Sequence, residues 1–68
     1  MFRNLRIEMY ARNLTYEKLA TRIGMSESTL AKKVKGITDF KSEEMFKIRD
    51  TVFPDLTLEY LFAKTETK

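Results

Sequence analysis

The sequence predicts an all-α domain, a compact bundle of five short helices. Along most of the chain, apolar residues recur three or four positions apart, which is the spacing of a buried helical face. Residues that commonly end helices divide these stretches, namely Gly24, Gly36 and Pro54. No stretch shows the strict alternation of apolar and polar residues that is typical of a half-buried strand.

The first predicted helix runs from Asn4 to Arg12 and turns Leu5 and Met9 inward at the i, i+4 spacing. Asn4 can cap its beginning, because an asparagine side chain accepts a hydrogen bond from an unpaired N–H of the first turn. Asn13 can end the helix, because asparagine adopts the left-handed backbone region more readily than most residues.

The second predicted helix begins after Thr15, whose hydroxyl group is a good N-cap. Glu17 follows in the first turn, where the helix dipole favours a negative charge. Leu14 stands just ahead of the cap and can pack against the helix. The buried face of this helix consists of Leu19, Ala20 and Ile23, and Gly24 ends it.

A tight turn leads into a third predicted helix, which Ser26 caps and Gly36 closes. Leu30 and Val34 point inward at i and i+4. The opposite side is polar and is expected to face outward, with Glu27, Ser28, Thr29, Lys32 and Lys33 on it. Such a helix could lie in a groove of DNA.

The fourth predicted helix extends from about Ser42 to Val52 and stops before Pro54, which lacks an N–H and restricts the residue ahead of it. The loop that leads to it contains Ile37 and Phe40, which we expect to fold back onto the core. The inward stripe of the helix is Met45, Ile48 and Val52.

A last short helix is predicted from Leu58 to Ala63, with Thr57 as its cap. Its large apolar side chains offer candidates for both the core and an interface, and Leu58, Leu61 and Phe62 are expected to close the core. Residues 1–64 then form a single domain, and the polar tail at 65–68 is expected to fray.

The composition excludes several kinds of function. The chain contains no cysteine and no histidine, so it offers no disulfide, no ordinary zinc ligands and no imidazole for acid–base catalysis. It lacks a glycine-rich phosphate loop, and 68 residues leave little room for a substrate pocket. We therefore expect no enzyme, no metal, no cofactor and no small-molecule substrate. No apolar run approaches the roughly 20 residues of a membrane-spanning helix, so no membrane partner is expected.

The charge is distributed unevenly along the chain. Residues 1–41 carry nine Lys and Arg against four acidic residues, a net charge of +5, whereas residues 42–68 carry four against six, a net charge of −2. This asymmetry is expected of a protein that binds a polyanion on one side. Ordinary solvated charge explains it about equally well.

The segment from Leu14 to Gly36 resembles the helix-turn-helix of Cro and C1-type phage repressors, whose pattern is close to L-[ST]-x-x-x-L-A-x-x-x-G-[VM]-S-x-x-[ST]-[IL]-x-x-x-x-x-G. The residues that match in register are Leu14, Thr15, Leu19, Ala20, Gly24, Met25, Ser26, Thr29, Leu30 and Gly36. The ending FPDLTLEYLF at 53–62 is similar to that of a small phage or prophage branch of this family. The resemblance covers essentially residues 4–62.

The resemblance implies a lambda-repressor-like domain that binds an operator in double-stranded DNA and acts as a transcriptional repressor. In such a domain the third helix enters the major groove with its N-terminal half. The base-reading candidates are therefore Glu27, Ser28, Thr29 and Lys32, and the candidates for contacts with the DNA backbone are Thr15, Tyr16, Lys18, Ser26, Lys33 and Lys35. The expected location is the cytoplasm of a bacterial host, in association with DNA.

Two of these roles stay open. Glu27 can accept a hydrogen bond from cytosine N4 or only stabilise the N-terminus of its own helix. Ser26 can be a cap, a DNA contact, or both.

Two features depart from the family pattern. Tyr16 replaces the glutamine that usually begins the second helix, although its phenol can still donate to a phosphate oxygen. Met9 and Val34 stand where many members pair an arginine with a glutamate. Both partners have become apolar together, which is the change that a buried ion pair tolerates best.

Few phosphate contacts are available to one copy of the chain, so a homodimer on adjacent half-sites is expected, at least on DNA. Leu56 and Tyr60 are the candidates for its interface. The competing hypothesis is a protein-interaction module on the same scaffold, such as an antitoxin or an anti-repressor, whose apolar C-terminal helix grips a partner protein.

Overall fold

A computed structural model describes residues 2–63 of the chain. These residues form five helices, which are α1 (Arg3–Ala11), α2 (Tyr16–Ile23), α3 (Glu27–Lys35), α4 (Ser42–Val52) and α5 (Leu58–Leu61). No strand occurs between residues 2 and 63, and the predicted all-α architecture of five helices is confirmed. The predicted end of the domain at residue 64 and the frayed tail at 65–68 lie outside the described residues.

The first helix begins one residue earlier than predicted, and Asn4 is not its cap. Phe2 occupies the N-cap position, and no side chain caps this end. Asn4 instead lies inside α1 and donates from its amide to the carbonyl oxygen of Tyr60 at 2.9 Å. The helix ends at Ala11, one residue before its predicted end, and the predicted role of Asn13 is confirmed, because it follows the Arg12 cap with a φ of 59°, in the left-handed region.

Local signals set the ends of α2 and α3. The hydroxyl of Thr15 accepts a hydrogen bond from the backbone N–H of Lys18 at 3.1 Å. Gly24 and Gly36 follow the two helices with φ values of 73° and 87°, which glycine adopts without steric cost. The predicted boundaries of both helices are confirmed.

The fourth and fifth helices begin with two different kinds of cap. At the start of α4, the Glu44 carboxylate reaches back and accepts a hydrogen bond from the backbone N–H of Lys41 at 2.8 Å. At the start of α5, the Thr57 hydroxyl accepts from the N–H of Tyr60 at 3.1 Å, as predicted. The last helix ends at Leu61, two residues before its predicted end at Ala63.

The helices enclose one apolar core. Its fully buried side chains are Leu5, Leu19, Leu30, Val34, Ile48, Phe53 and Leu61. Three aromatic rings from distant parts of the chain, Phe2, Phe40 and Phe62, pack edge to face with ring centroids 5.2–5.7 Å apart. The expectation that Ile37 folds onto the core beside Phe40 is wrong, because Ile37 is 68% exposed.

Polar side chains join α1 to the C-terminal part of the molecule. Arg12 donates to the carbonyl oxygen of Val52 at 3.2 Å and pairs with the Asp55 carboxylate at 3.3 Å. The Tyr60 hydroxyl donates to the Glu8 carboxylate at 2.9 Å. We give the name α1–α5 interface to the contacts that join α1 and its C-cap to α5 and the residues before it. Its members are Asn4, Glu8, Arg12, Val52, Asp55 and Tyr60.

None of the helices between residues 2 and 63 has the length and apolar character that crossing a membrane requires.

Candidate nucleic-acid interface

The outer face of α3 is polar and open to solvent. Glu27, Ser28, Thr29 and Lys32 are all exposed there. On the inner face, Leu30 and Val34 have no exposed surface, so they orient the helix and keep the polar side outward. The structure therefore brings the base-reading candidates together on one accessible surface.

The two hydroxyl groups at the start of α3 bond to each other. The Ser26 hydroxyl accepts from the backbone N–H of Thr29 at 3.2 Å, which confirms it as the N-cap. It also donates to the Thr29 hydroxyl oxygen at 2.7 Å. This contact orders the two hydroxyl groups on the first turn of α3.

The N-terminal ends of α2 and α3 meet beside α1. An open cleft of about 320 Å³ lies between them, and its lining includes Arg6, Tyr10, Thr15, Tyr16 and Glu27. One base-reading candidate and two backbone candidates thus line the same depression. Neither Arg6 nor Tyr10 was among the site residues predicted from the sequence, because their contribution depends on how α1 crosses the other helices.

Lys33 does not face outward as predicted. Lys33 is only 8% exposed, and its ammonium nitrogen lies 2.7 Å from the Glu44 carboxylate of α4. The spacing along α3 contains the signal that identifies it, because Lys33 comes three residues after Leu30 and therefore borders the buried stripe. Lys18 and Lys35, by contrast, are exposed as expected.

The Glu44 carboxylate carries a shifted pKa. Partial burial raises the pKa. The hydrogen bonds from the Lys33 ammonium and the Lys41 backbone N–H, together with both lysine charges, lower it by a larger amount. The net effect is a pKa below its usual value of 4.5, so the carboxylate is charged at neutral pH. Lys33 and Glu44 therefore form an ion pair between α3 and α4.

Arg12 is engaged inside the protein. Besides its contacts with Val52 and Asp55, its guanidinium lies 4.8 Å from the centre of the Phe53 ring. Among residues 2–63, no ion pair engages Arg6, Lys18, Lys32 or Lys35. These four cations, unlike Lys33, remain available for an external anion.

No group of acidic residues between positions 2 and 63 has the arrangement of a metal site.

The comparison with protein families identifies the fold. A family model described as helix-turn-helix matches residues 2–51, which include α1, α2, α3 and nearly all of α4. No curated protein and no solved structure gives a significant match. The matched range covers well over half of the chain and contains the whole surface described above. The chain belongs to the Cro/C1-type helix-turn-helix family of DNA-binding domains.

Proposed function

We propose that this protein is a sequence-specific transcriptional repressor of the Cro type, encoded by a phage or prophage, that reads an operator in double-stranded DNA with α3. The observation that carries the proposal is the exposed polar face of α3, whose side chains at 27, 28, 29 and 32 all reach solvent. Family membership supports DNA binding, and the ending at 53–62 favours the phage branch.

The dimensions and chemistry of α3 suit the major groove. A helix with side chains is about 10–12 Å wide, and the groove of B-DNA is about 12 Å wide. Lys32 can donate to guanine O6 and N7, and Thr29 can donate through its hydroxyl or touch a thymine methyl group. Glu27 can accept from cytosine N4, and its position in the cleft next to Tyr16 places it at the edge of the same surface.

The N-terminus of α2 is suited to the DNA backbone. Unpaired backbone N–H groups and the helix dipole both favour a phosphate at such a position. Thr15 and Tyr16 begin this helix, and the side chains of Lys18 and Lys35 extend the positive surface. Ser26 contributes mainly as a cap, and Lys33 is left out of the phosphate contacts because its ammonium already pairs with Glu44.

A homodimer on DNA fits this small contact surface. Two copies on adjacent half-sites multiply the few phosphate contacts that one copy can make. Tyr60 is 38% exposed and Leu56 is partly buried against the core. We therefore assign Tyr60 to the edge of the interface between the two copies and give Leu56 a supporting role there. The protein then acts on DNA in the cytoplasm of a bacterial host.

Selection of bound sequences from a random pool of duplex DNA tests this function. We expect enrichment of a short palindrome, because a symmetric dimer requires two related half-sites. Binding to the selected duplex should weaken steeply as salt rises. An unenriched pool and an absence of salt-dependent binding would instead favour the protein-interaction module.

The Lys32→Ala variant tests which helix reads the bases. We expect a relaxed preference at one base pair of each half-site and a loss of about 1–3 kcal/mol in operator binding. Lys47→Ala is the matched control, because Lys47 is an exposed lysine on α4. Unchanged affinity and base preference in Lys32→Ala would contradict the assignment of α3 to the groove.

A further inference from the structure

Lys33 is the single polar side chain that is buried among residues 2–63, and it lies on the helix that carries the base-reading candidates. Burial of an ammonium group is costly unless a partner compensates the lost hydration. Glu44 supplies that compensation at 2.7 Å. The pair has no role in the DNA contacts proposed above.

The Glu44 carboxylate connects three parts of the molecule through one oxygen atom. Its Oε1 accepts from the Lys33 ammonium at 2.7 Å and from the backbone N–H of Lys41 at 2.8 Å. Glu44 itself lies in the first turn of α4. The C-terminal half of α3, the end of the following loop and the beginning of α4 are therefore fixed to one another.

Apart from this pair, α3 and α4 are joined through the apolar core that they share. The α3 backbone packs closely against α2, whereas α3 and α4 approach each other at few points. At the C-terminal half of α3, the backbone N–H of Phe2 donates to the Val34 carbonyl at 3.1 Å. Among residues 2–63, the Lys33–Glu44 pair is the polar side-chain link between α3 and α4.

We infer that Lys33 and Glu44 are positioning residues, which hold α3 at the angle needed to discriminate an operator from other DNA. This inference rests on the proposed function. Lys32, the adjacent residue, is a base-reading candidate, so a rotation of α3 that displaces Lys33 also displaces the reading surface. Buried ion pairs often contribute little net stability, because removal of two charges from water offsets their attraction, whereas they can specify one arrangement.

Four variants separate positioning from phosphate contact and from simple stabilisation. Lys33→Met with Glu44→Gln replaces both charges together and keeps an acceptor for the Lys41 N–H. Glu44→Asp keeps both charges but shortens the link by one methylene group. Lys33→Met alone leaves Glu44 without its cation. Lys35→Met is the matched control, because Lys35 is an exposed lysine two residues further along α3.

The measurements are the melting temperature and the affinities for the selected operator and for a scrambled duplex, each over a series of salt concentrations. For the double variant we expect a melting temperature near that of the wild type, because both partners of the pair are replaced. We expect operator affinity to fall about tenfold, the effect of one lost base contact, with affinity for the scrambled duplex unchanged. Glu44→Asp should lose part of the discrimination and remain folded.

The salt dependence distinguishes an internal lysine from one that contacts DNA. Lys33→Met should leave the slope of log affinity against log salt unchanged, because no counterion is released at this residue. Lys35→Met should weaken binding to both duplexes and reduce the slope by about 0.9, the value for one phosphate contact. A reduced slope in Lys33→Met would overturn the inference by showing that Lys33 binds phosphate.

The inference also fails when the double variant and Glu44→Asp both fold and both keep the wild-type ratio of operator to scrambled affinity. That result would leave the pair a merely structural role. A double variant that does not fold leaves Glu44→Asp to decide. Wild-type protein that binds neither duplex would overturn the proposed function, and the inference with it, so the two failures are distinguishable.

Discussion

The helix-turn-helix, residues 15–36, and the α1–α5 interface are held together in different ways. Hydroxyl caps, left-handed glycines and apolar contacts fix the helix-turn-helix. At the α1–α5 interface, Arg12, Asp55, Glu8 and Tyr60 engage one another or the backbone through their polar groups. The helix-turn-helix therefore keeps most of its charged side chains available for an external partner, whereas the interface uses its own internally.

Lys33 is the exception within the helix-turn-helix, and it shows why the contrast matters. A lysine on the outer face of α3 can take part in DNA recognition, as Lys32 is proposed to do. A lysine one residue later borders the core and has become part of the scaffold through Glu44. The position relative to the buried stripe, and not the residue type, determines which use a charge can have.

The variants with the largest expected loss of stability test whether the two regions share one core. Leu30 of α3 and Phe53 near the α1–α5 interface are both fully buried and belong to the same apolar cluster. Leu30→Ala should lower the free energy of unfolding by about 2–5 kcal/mol and Phe53→Ala by about 3–5 kcal/mol. Urea unfolding followed by circular dichroism measures both changes.

Ile37→Ala is the control for these variants, because the Ile37 side chain is largely exposed and should change the free energy of unfolding by no more than about 0.5 kcal/mol. Both core variants should unfold in one transition. A variant that lost only one region, with a second transition for the other, would show that the two regions are independent.

The next effect concerns the local signals of the helix-turn-helix. Gly24→Ala should lower the free energy of unfolding by about 1–2 kcal/mol, because alanine is strained at a φ of 73°. Crowding does not explain such a loss, since the nearest atom to an added methyl group is the flexible end of Lys47 at 3.9 Å. Thermal unfolding measures the change.

Asn13→Gly is the reciprocal control outside the helix-turn-helix. Asn13 already adopts a φ of 59°, so glycine relieves strain there and the stability should stay level or rise slightly. A stable Gly24→Ala protein would show that the turn tolerates another backbone conformation.

The third effect compares the uses of charge in the two regions. Arg12→Met removes a hydrogen bond from a charged group to the partly buried Val52 carbonyl, so the free energy of unfolding should fall by about 1–2 kcal/mol. Its ion pair with the largely exposed Asp55 contributes little to that loss. Lys35→Met should change stability by no more than about 0.5 kcal/mol.

The DNA-binding measurements should show the opposite pattern. Arg12→Met should leave the salt slope of DNA binding unchanged, and Lys35→Met should reduce it by about 0.9. Equal slopes for these two variants would remove the proposed division between an internal and an external use of charge.

The same contrast explains which features were predictable from the sequence. Thr15, Gly24 and Gly36 act on backbone groups within four residues, so the sequence contains both partners of each contact. Asn4 was assigned as a cap, but its partner Tyr60 is 56 positions away. Such a contact depends on how the helices cross, which local patterns do not specify.

The candidate site divides along the same line. The exposure of the α3 outer face follows from the spacing of its apolar residues, and it was predicted correctly except for Lys33. The cleft between α1 and the starts of α2 and α3 has no local signal, because three separate segments form it. The Glu44 partner of Lys33 was missed for the same reason.

The smallest expected effect is a difference between the regions in their response to pH. Where Glu44 of α4 holds Lys33 of the helix-turn-helix, the lowered pKa of Glu44 means that the folded state binds a proton less readily than the unfolded state. The stabilisation is therefore present above about pH 4.5 and is lost as the pH falls through the lower pKa of the folded state. Glu44→Gln should lack this acid-dependent component.

At the α1–α5 interface the sign is reversed. The hydrogen bond to the Glu8 carboxylate, with some loss of hydration and the charge of Glu8, raises the pKa of Tyr60 above 10.0. The stabilisation is present below pH 10.0 and is lost as the pH rises through the raised pKa. The melting temperature of Glu44→Gln should therefore approach that of the wild type at acid pH. The melting temperature of Tyr60→Phe should approach that of the wild type at alkaline pH. Curves that stay parallel over the whole range would show that neither contact persists in solution.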